Sequence, residues 1–246
     1  EEQSELVKEQ NAELTNINEE IAAQRDILQV KTQELSGAYK HITDSVQYAQ
    51  RIQNAILGNE AEIIDNFSDA FVFLKPKDIV SGDFYWYTTT RKRVASMLDE
   101  DNRNTVVPTA VSLSTIKILI AADCTGHGVP GAFMTVMGSN LLDEIVDSGH
   151  TTMPDEILKE LDQRVIKNLH VDEHHSNGQV KKTGRINDGM DMSVIMLDET
   201  ENKLYFAGAK SPLYFVRNGV MQNIKGSVFP IGSEQYKKKK EFVLHH

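Results

Sequence analysis

Apolar residues return every seven positions along the first quarter of the chain. From Val7 the series runs through Leu14, Ile21, Leu28, Leu35, Ile42, Ala49 and Ile56. A period of seven held that long predicts a left-handed coiled-coil seam. The second seam is poorer: Ile17, Ala38 and Ile52 hold it, but Gln10, Gln24, Lys31 and Ser45 interrupt it. Residues 1–57 contain no Pro and one Gly, Gly37, and are rich in residues that helices favour or tolerate. The rival reading is a single amphipathic helix lying on a globular domain. It fits less well, because about 50 helical residues reach about 75 Å, beyond a small domain. The expectation is a parallel homodimer through a coiled-coil signalling helix at 1–57, followed by a second domain at 58–246.

From Phe67 the period changes. Phe67 to Leu74 and Gly82 to Thr89 read as strands rich in aromatic and β-branched residues, with Lys75-Pro76-Lys77-Asp78 as a turn between them. Arg91 to Ser112 is polar and reads as a long mobile excursion, a candidate flap. Thr115 to Ala122 predicts a buried strand that runs into Asp123. Pro130 to Val146 and Pro154 to Leu169 have helical spacing, Pro130 suiting a first turn. His170 to Asn187 reads as a loop. Met192 to Leu197, Leu204 to Ala207 and Leu213 to Val216 read as strands, and Asn218-Gly219 as a hairpin turn before Val220 to Ile224. Strands, two adjacent helices, then strands again argue for a layered α+β domain.

Charge narrows the function classes. Acidic residues outnumber basic ones 36 to 26, giving a net charge of −10, which disfavours nucleic acid as a partner because its phosphates would be repelled. The longest apolar run, Ile118 to Ala122, is far short of the roughly 20 residues that span a bilayer. A lone cysteine, Cys124, excludes a disulfide framework and a thiolate zinc site and fits a reducing compartment. A cytoplasmic location is expected, with membrane attachment only through a sensor upstream of Glu1.

Two aspartates carry the candidate chemistry. Asp83 follows a glycine at the mouth of a strand, in Val80-Ser81-Gly82-Asp83-Phe84-Tyr85-Trp86. Asp123 ends the buried strand and opens the loop Asp123-Cys124-Thr125-Gly126-His127-Gly128-Val129-Pro130-Gly131-Ala132. Taken alone, each reads more simply as a turn former or helix cap. Converging, they would attract a hard cation, since Mg²⁺ and Mn²⁺ prefer oxygen ligands. The glycine-rich loop has a rival reading as a phosphate cradle, but it lacks both the P-loop ending and the dinucleotide-fold spacing. His170, His174 and His175 read as a solvated loop, and Lys237 to Lys240 as a solvated run. His41 lies on the coil with no ATP-binding motif to support a kinase reading.

Together these blocks resemble the SpoIIE-type serine phosphatases, a bacterial branch of the metal-dependent (PPM, protein phosphatase 2C-like) phosphatases. The resemblance rests on Val80 to Trp86, Asp123 to Met134, Asp188-Gly189-Met190-Asp191, Phe206-Ala207-Gly208-Ala209 and Ser211-Pro212-Leu213-Tyr214. Further support comes from Asp44 to Leu57, similar to the helix that leads into such domains, and from Pro230-Ile231-Gly232.

That resemblance implies an α-β-β-α sandwich with two Mn²⁺ or Mg²⁺ ions at one edge of its sheets. It matches Asp83 to the first metal-ligand aspartate and Asp123 to the aspartate bridging both ions. It matches Cys124 to the residue offering a backbone carbonyl. It implies hydrolysis of phosphoserine by a metal-activated hydroxide, with no phosphoenzyme. His127 is the candidate general acid, the alternative being a residue that caps the loop or orients Asp123. Asp188 and Asp191 read as a turn, or as groups near the metals. The implied substrate is a phosphorylated STAS-type anti-sigma-factor antagonist, in signal transduction governed by the coiled coil. The later metal ligands of the family do not occur before His246, so the sandwich is expected to be C-terminally incomplete and the chain a segment of something longer. The competing reading is a non-catalytic, partner-binding coiled-coil module, a pseudophosphatase or inactive fragment.

Overall fold

The computed structural model of the chain describes residues 2–58, 60–95, 111–148, 151–169, 189–233 and 240–246. Its elements are helices α1 (Glu2–Ile56), α2 (Glu60–Asn66), α3 (Val129–Asp147) and α4 (Pro154–Leu169). The strands are β1 (Asp83–Ala95), β2 (Val111–Cys124), β3 (Met190–Asp198), β4 (Lys203–Ala209), β5 (Leu213–Arg217) and β6 (Val220–Ile224). The chain divides into two compact units, Glu1–Ala49 and Gln50–His246. The first is helical throughout its described residues and leaves Val7, Leu14, Ile21, Leu28, Leu35 and Ile42 exposed.

In the second unit, β1-β2-β3-β4 form one antiparallel sheet in that order. Side chains alternate faces along a strand, and burial follows that alternation. Phe84 and Trp86 of β1, Ile116, Ile118 and Ile120 of β2, and Met190, Met192, Val194 and Met196 of β3 all point into one core. There they meet Leu141, Leu142 and Ile145 of α3, and Ile157, Leu158, Leu161 and Val165 of α4. Each such side chain contributes about 1.5–3 kcal/mol on burial, so this packing fixes both the helix layer and the strand phase. The opposite face, carrying the odd-numbered positions of β1, β2 and β3, looks onto the segment 70–76, which is neither helix nor strand. A cavity of about 850 Å³ lies between them, lined by Phe71, Phe73, Tyr85, Leu119 and Ala121 among others. The architecture is α+β, with helices, an antiparallel sheet and a long N-terminal helix.

β5 and β6 pair as a separate two-stranded sheet. Their turn places Asn218 at φ 54° and Gly219 at φ 75°, the left-handed pair that a tight hairpin twist requires.

Three sequence expectations are corrected. Phe67 to Leu74 is not a strand: among the described residues no strand pairs with it, and Phe71 and Phe73 are 86% and 82% exposed. Aromatic content imitated a strand there, but a ladder needs a partner. The expectation of an excursion from Arg91 to Ser112 is corrected at its ends: β1 and β2 stay in register from Arg91↔Thr115 to Ala95↔Val111, because a backbone ladder does not depend on an apolar sequence; residues 96–110 lie outside the described residues. Lys240 is not part of a solvated run. Its Nζ sits 2.6 Å from Asp162 Oδ1, with both side chains about nine-tenths buried, while Lys237 to Lys239, like the loop His170 to Asn187, lie outside the described residues.

Candidate active site

Strand register assembles the site. Asp83 at the start of β1 is the Cα partner of Asp123 near the end of β2, and Asp123 is in turn the partner of Asp191 on β3. Directly opposed residues on antiparallel strands share a face, with Cβ atoms about 5 Å apart. Three aspartates therefore form a row across three strands, on the face away from the helices. Asp191 is a strand residue and not a turn, since it alternates with the buried Met190 and Met192. Asp188 lies outside the described residues.

The loops on either side of the pair approach as closely as backbone allows. A Cβ on Gly82 would lie 2.7 Å from the Gly126 carbonyl oxygen, and one on Gly131 would lie 2.8 Å from the same atom. Only glycine fits where the Asp83 loop, the Asp123 loop and the first turn of α3 converge. Cys124 N–H donates to Gly82 C=O at 3.1 Å, and Thr125 N–H to Gly189 C=O at 2.7 Å, so all three strand ends are tied together. Pro130 lies in the first turn of α3, where its missing N–H costs no hydrogen bond.

Charge is unevenly shared. The Asp123 carboxyl is pushed above the ordinary aspartate range, chiefly by desolvation, then by the charge of Asp83 and a side-chain hydrogen bond with it. Lys210 opposes this; its Nζ stands 3.1 Å from Asp191 Oδ2. Cys124 turns its side chain the other way, into the core, with 2% exposure. Desolvation pushes its thiol up to about 12, against a lowering contact from the Thr135 hydroxyl. A group so protonated is no nucleophile. His127 Nδ1 pairs with Asp78 Oδ2 at 2.7 Å, both groups exposed. It lines the same pocket of about 410 Å³ as Lys77, Asp83, Asp123, Asp191 and Lys210.

Two carboxylates opposed on one sheet face, the charge of Asp83 disfavouring that of Asp123, suit a hard divalent cation, which would relieve their repulsion. The fit is partial. Among the described residues no three His, Cys, Asp or Glu side chains gather about one point, because the aspartate row is spread across three strands about 4.8 Å apart.

Sequence reasoning missed Asp78 and Lys210. The strand phase of Met190, Met192, Val194 and Met196 was the available signal for Asp191. No local signal marks the other two, whose partners His127 and Asp191 are distant in the chain.

This arrangement of antiparallel sheet, helix pair and long N-terminal helix is that of a PP2C-type serine/threonine phosphatase domain. The family profile described as Stage II sporulation protein E (SpoIIE) matches residues 117–244, just over half of the chain, and the chain belongs to that family. Among solved structures, the SiaA-PP2C domain of Pseudomonas aeruginosa matches with 27% identity and a TM-score of 0.58, over 85% of this chain and 68% of that one. The PP2C phosphatase domain of SpoIIE from Bacillus subtilis, solved with a fragment of its regulatory domain, is 17% identical (TM-score 0.41, 68% of this chain and 37% of that one). The RsbU and RsbW domains of a Mycobacterium tuberculosis protein are also 17% identical (TM-score 0.38, 65% and 40%). The chain thus spans about two thirds of the SiaA chain and less than half of the other two. No curated protein matches at a significant level. PP2C-like phosphatases are metal-dependent as a class. Among the described residues no helix is long and apolar enough to cross a membrane.

Proposed function

We propose that the chain hydrolyses phosphoserine on a regulatory protein, a STAS-type anti-sigma-factor antagonist, with Mn²⁺ or Mg²⁺ as cofactor and under control of its N-terminal coiled coil. One observation carries the reading: Asp83 and Asp123 stand directly opposite each other on one sheet face. They would hold the cation, with the Cys124 backbone carbonyl as a neutral oxygen ligand. When bound, the cation would supply charge neutralisation at the phosphoryl group and a lowered pKa for the attacking water.

The chain's own groups supply the rest. Lys77 and Lys210 line the pocket and offer positive charge to a phosphoryl dianion in a molecule whose net charge is −10. His127, with Nδ1 engaged by Asp78, would deliver a proton from Nε2 to the departing serine oxygen. Control would act through the last turns of α1, around Val46 to Ile56. Repacking there would displace the strand end bearing Asp83, and a shift of about 1 Å costs on the order of 100-fold in rate.

Phosphate release from a phosphoserine-bearing antagonist, measured with Mn²⁺ present, tests this. Turnover by the wild type that disappears in Asp123→Ala supports it, and turnover that survives the substitution sinks it. The spread of Asp83, Asp123 and Asp191 along a row, with no three such groups gathered to hold one ion among the described residues, favours the non-catalytic partner-binding module as a second reading. Stoichiometric binding of the phosphoprotein with no phosphate released would favour that module.

A further inference from the structure

Lys210 reaches the aspartate row from a backbone conformation that lysine seldom adopts. Among the described residues, three other than glycine have a left-handed φ: Asn202 at 52°, Asn218 at 54° and Lys210 at 58°. Asparagine tolerates that region in turns; a long side chain does so far less readily. Strain of this kind gathers at functional sites and persists where the surroundings enforce it. Here they do. Lys210 N–H donates to the Ser227 carbonyl at 2.7 Å, and Ser227 N–H donates to the Gly208 carbonyl at 2.7 Å. Lys210 also bridges to Met192, the residue after Asp191.

This backbone sets a cation against three carboxylates. Lys210 Nζ stands 3.1 Å from Asp191 Oδ2, with the lysine side chain over half exposed. It lines the same pocket as Asp83 and Asp123. Its charge also opposes the upward push that desolvation and Asp83 exert on the Asp123 carboxyl. An ion pair so exposed adds little to stability, so stability does not account for the strain. Charge balance does. Register places Asp83, Asp123 and Asp191 on adjacent strands, and the ammonium offsets part of that negative charge. A divalent cation entering the row would meet it as a like charge.

We propose that Lys210 is the built-in counter-ion of the aspartate row, a fixed positive charge that an incoming divalent cation must compete with. This rests on the metal reading above and deepens it, since it names the group that limits how tightly the site takes up its ion. Pairing of the same ammonium with a phosphoryl dianion would lift the competition. Cation and phosphorylated substrate then favour each other's binding, and by linkage they do so reciprocally.

The test measures Mn²⁺ affinity by calorimetry on the full chain, wild type against Lys210→Gln and Lys210→Arg. A unit charge one or two strand spacings from a divalent cation, screened by water, corresponds to roughly 3–10-fold in affinity. Lys210→Gln should therefore bind Mn²⁺ more tightly by that factor at low salt, whereas damage to the site would weaken binding. The gain should shrink in 1 M salt, where the Debye length is about 3 Å. Lys210→Arg keeps the charge and should keep the wild-type affinity. Lys203→Gln is the matched control: it removes an equally exposed lysine, paired with Glu201 at 2.8 Å, about 20 Å away along β4, and should change nothing. Should Lys210→Gln not fold, Lys210→Asn removes the charge with a residue suited to the left-handed backbone and should also tighten binding. Equal or weaker Mn²⁺ binding by the folded neutral variant would overturn the inference while leaving the metal reading intact, as would an equal gain in Lys203→Gln. Mn²⁺ ignored by every chain, wild type included, would overturn both.

Discussion

Partial desolvation, followed by the charge and hydrogen bond of Asp83, holds the Asp123 carboxyl above the ordinary aspartate range. Folding therefore favours the protonated form at this residue. The sign follows from linkage: the folded chain binds more protons than the unfolded one between the ordinary and the raised pKa. This contribution to stability is complete below the ordinary value and is lost as pH rises through the raised one. In metal-free protein the urea midpoint should decline as pH rises through that window, and Asp123→Asn should flatten the decline. A steeper decline in the variant would contradict the assignment. The same repulsion is what a divalent cation would relieve. Cys124, one residue on, faces the core and is held protonated, so side-chain alternation places two adjacent residues in opposite environments.

At the scale of elements, the sequence was most legible where one face is buried. α3 and α4 show their helical spacing because Leu141, Ile145, Leu158 and Leu161 must all reach the core. α4 begins and ends where the pattern predicts. β3 is legible through its alternation. What could not be read locally was register. Asp83, Asp123 and Asp191 align only once three strands pair, and no short-range pattern encodes pairing between segments so far apart. Phe67 to Leu74 failed for the converse reason: it has strand composition but no ladder among the described residues. Lys240 looked like surface, yet it closes an ion pair with Asp162 of α4, which also accepts from Gly232 N–H at 2.7 Å. Removing one partner of a buried pair strands the other, so Asp162→Ala should cost about 3–5 kcal/mol by urea unfolding. A loss below about 1 kcal/mol, ordinary for an exposed ion pair, would contradict the burial.

For the whole molecule, the heptad series and the phosphatase unit are two levels of one reading. Val7 through Ile42 are exposed along a helix of 55 residues. An apolar stripe of that length is unfavourable in water and is accounted for by the proposed parallel dimer. Leu28→Lys, placed at the middle of the seam, should convert a sedimenting dimer to monomer. A wild-type chain that sediments as a monomer at high micromolar concentration would remove the dimer from the account. The two conspicuous aspartate blocks and the long helix are legible in the sequence. The contact of the helix end with the Asp83 block, Gln53 Nε2 donating to the Ser81 carbonyl at 2.7 Å, is not, because a single Gln in a Gln-rich helix carries no mark of burial.

Mn²⁺ binding followed by electron paramagnetic resonance tests the central claim most directly, since free aqueous Mn²⁺ gives a six-line signal that weakens on binding. Adding the wild-type chain to Mn²⁺ should deplete that signal, and the Asp123→Ala chain at the same concentration should leave it near its free intensity. Equal depletion by both chains, or none by the wild type, would contradict a cation held between Asp83 and Asp123.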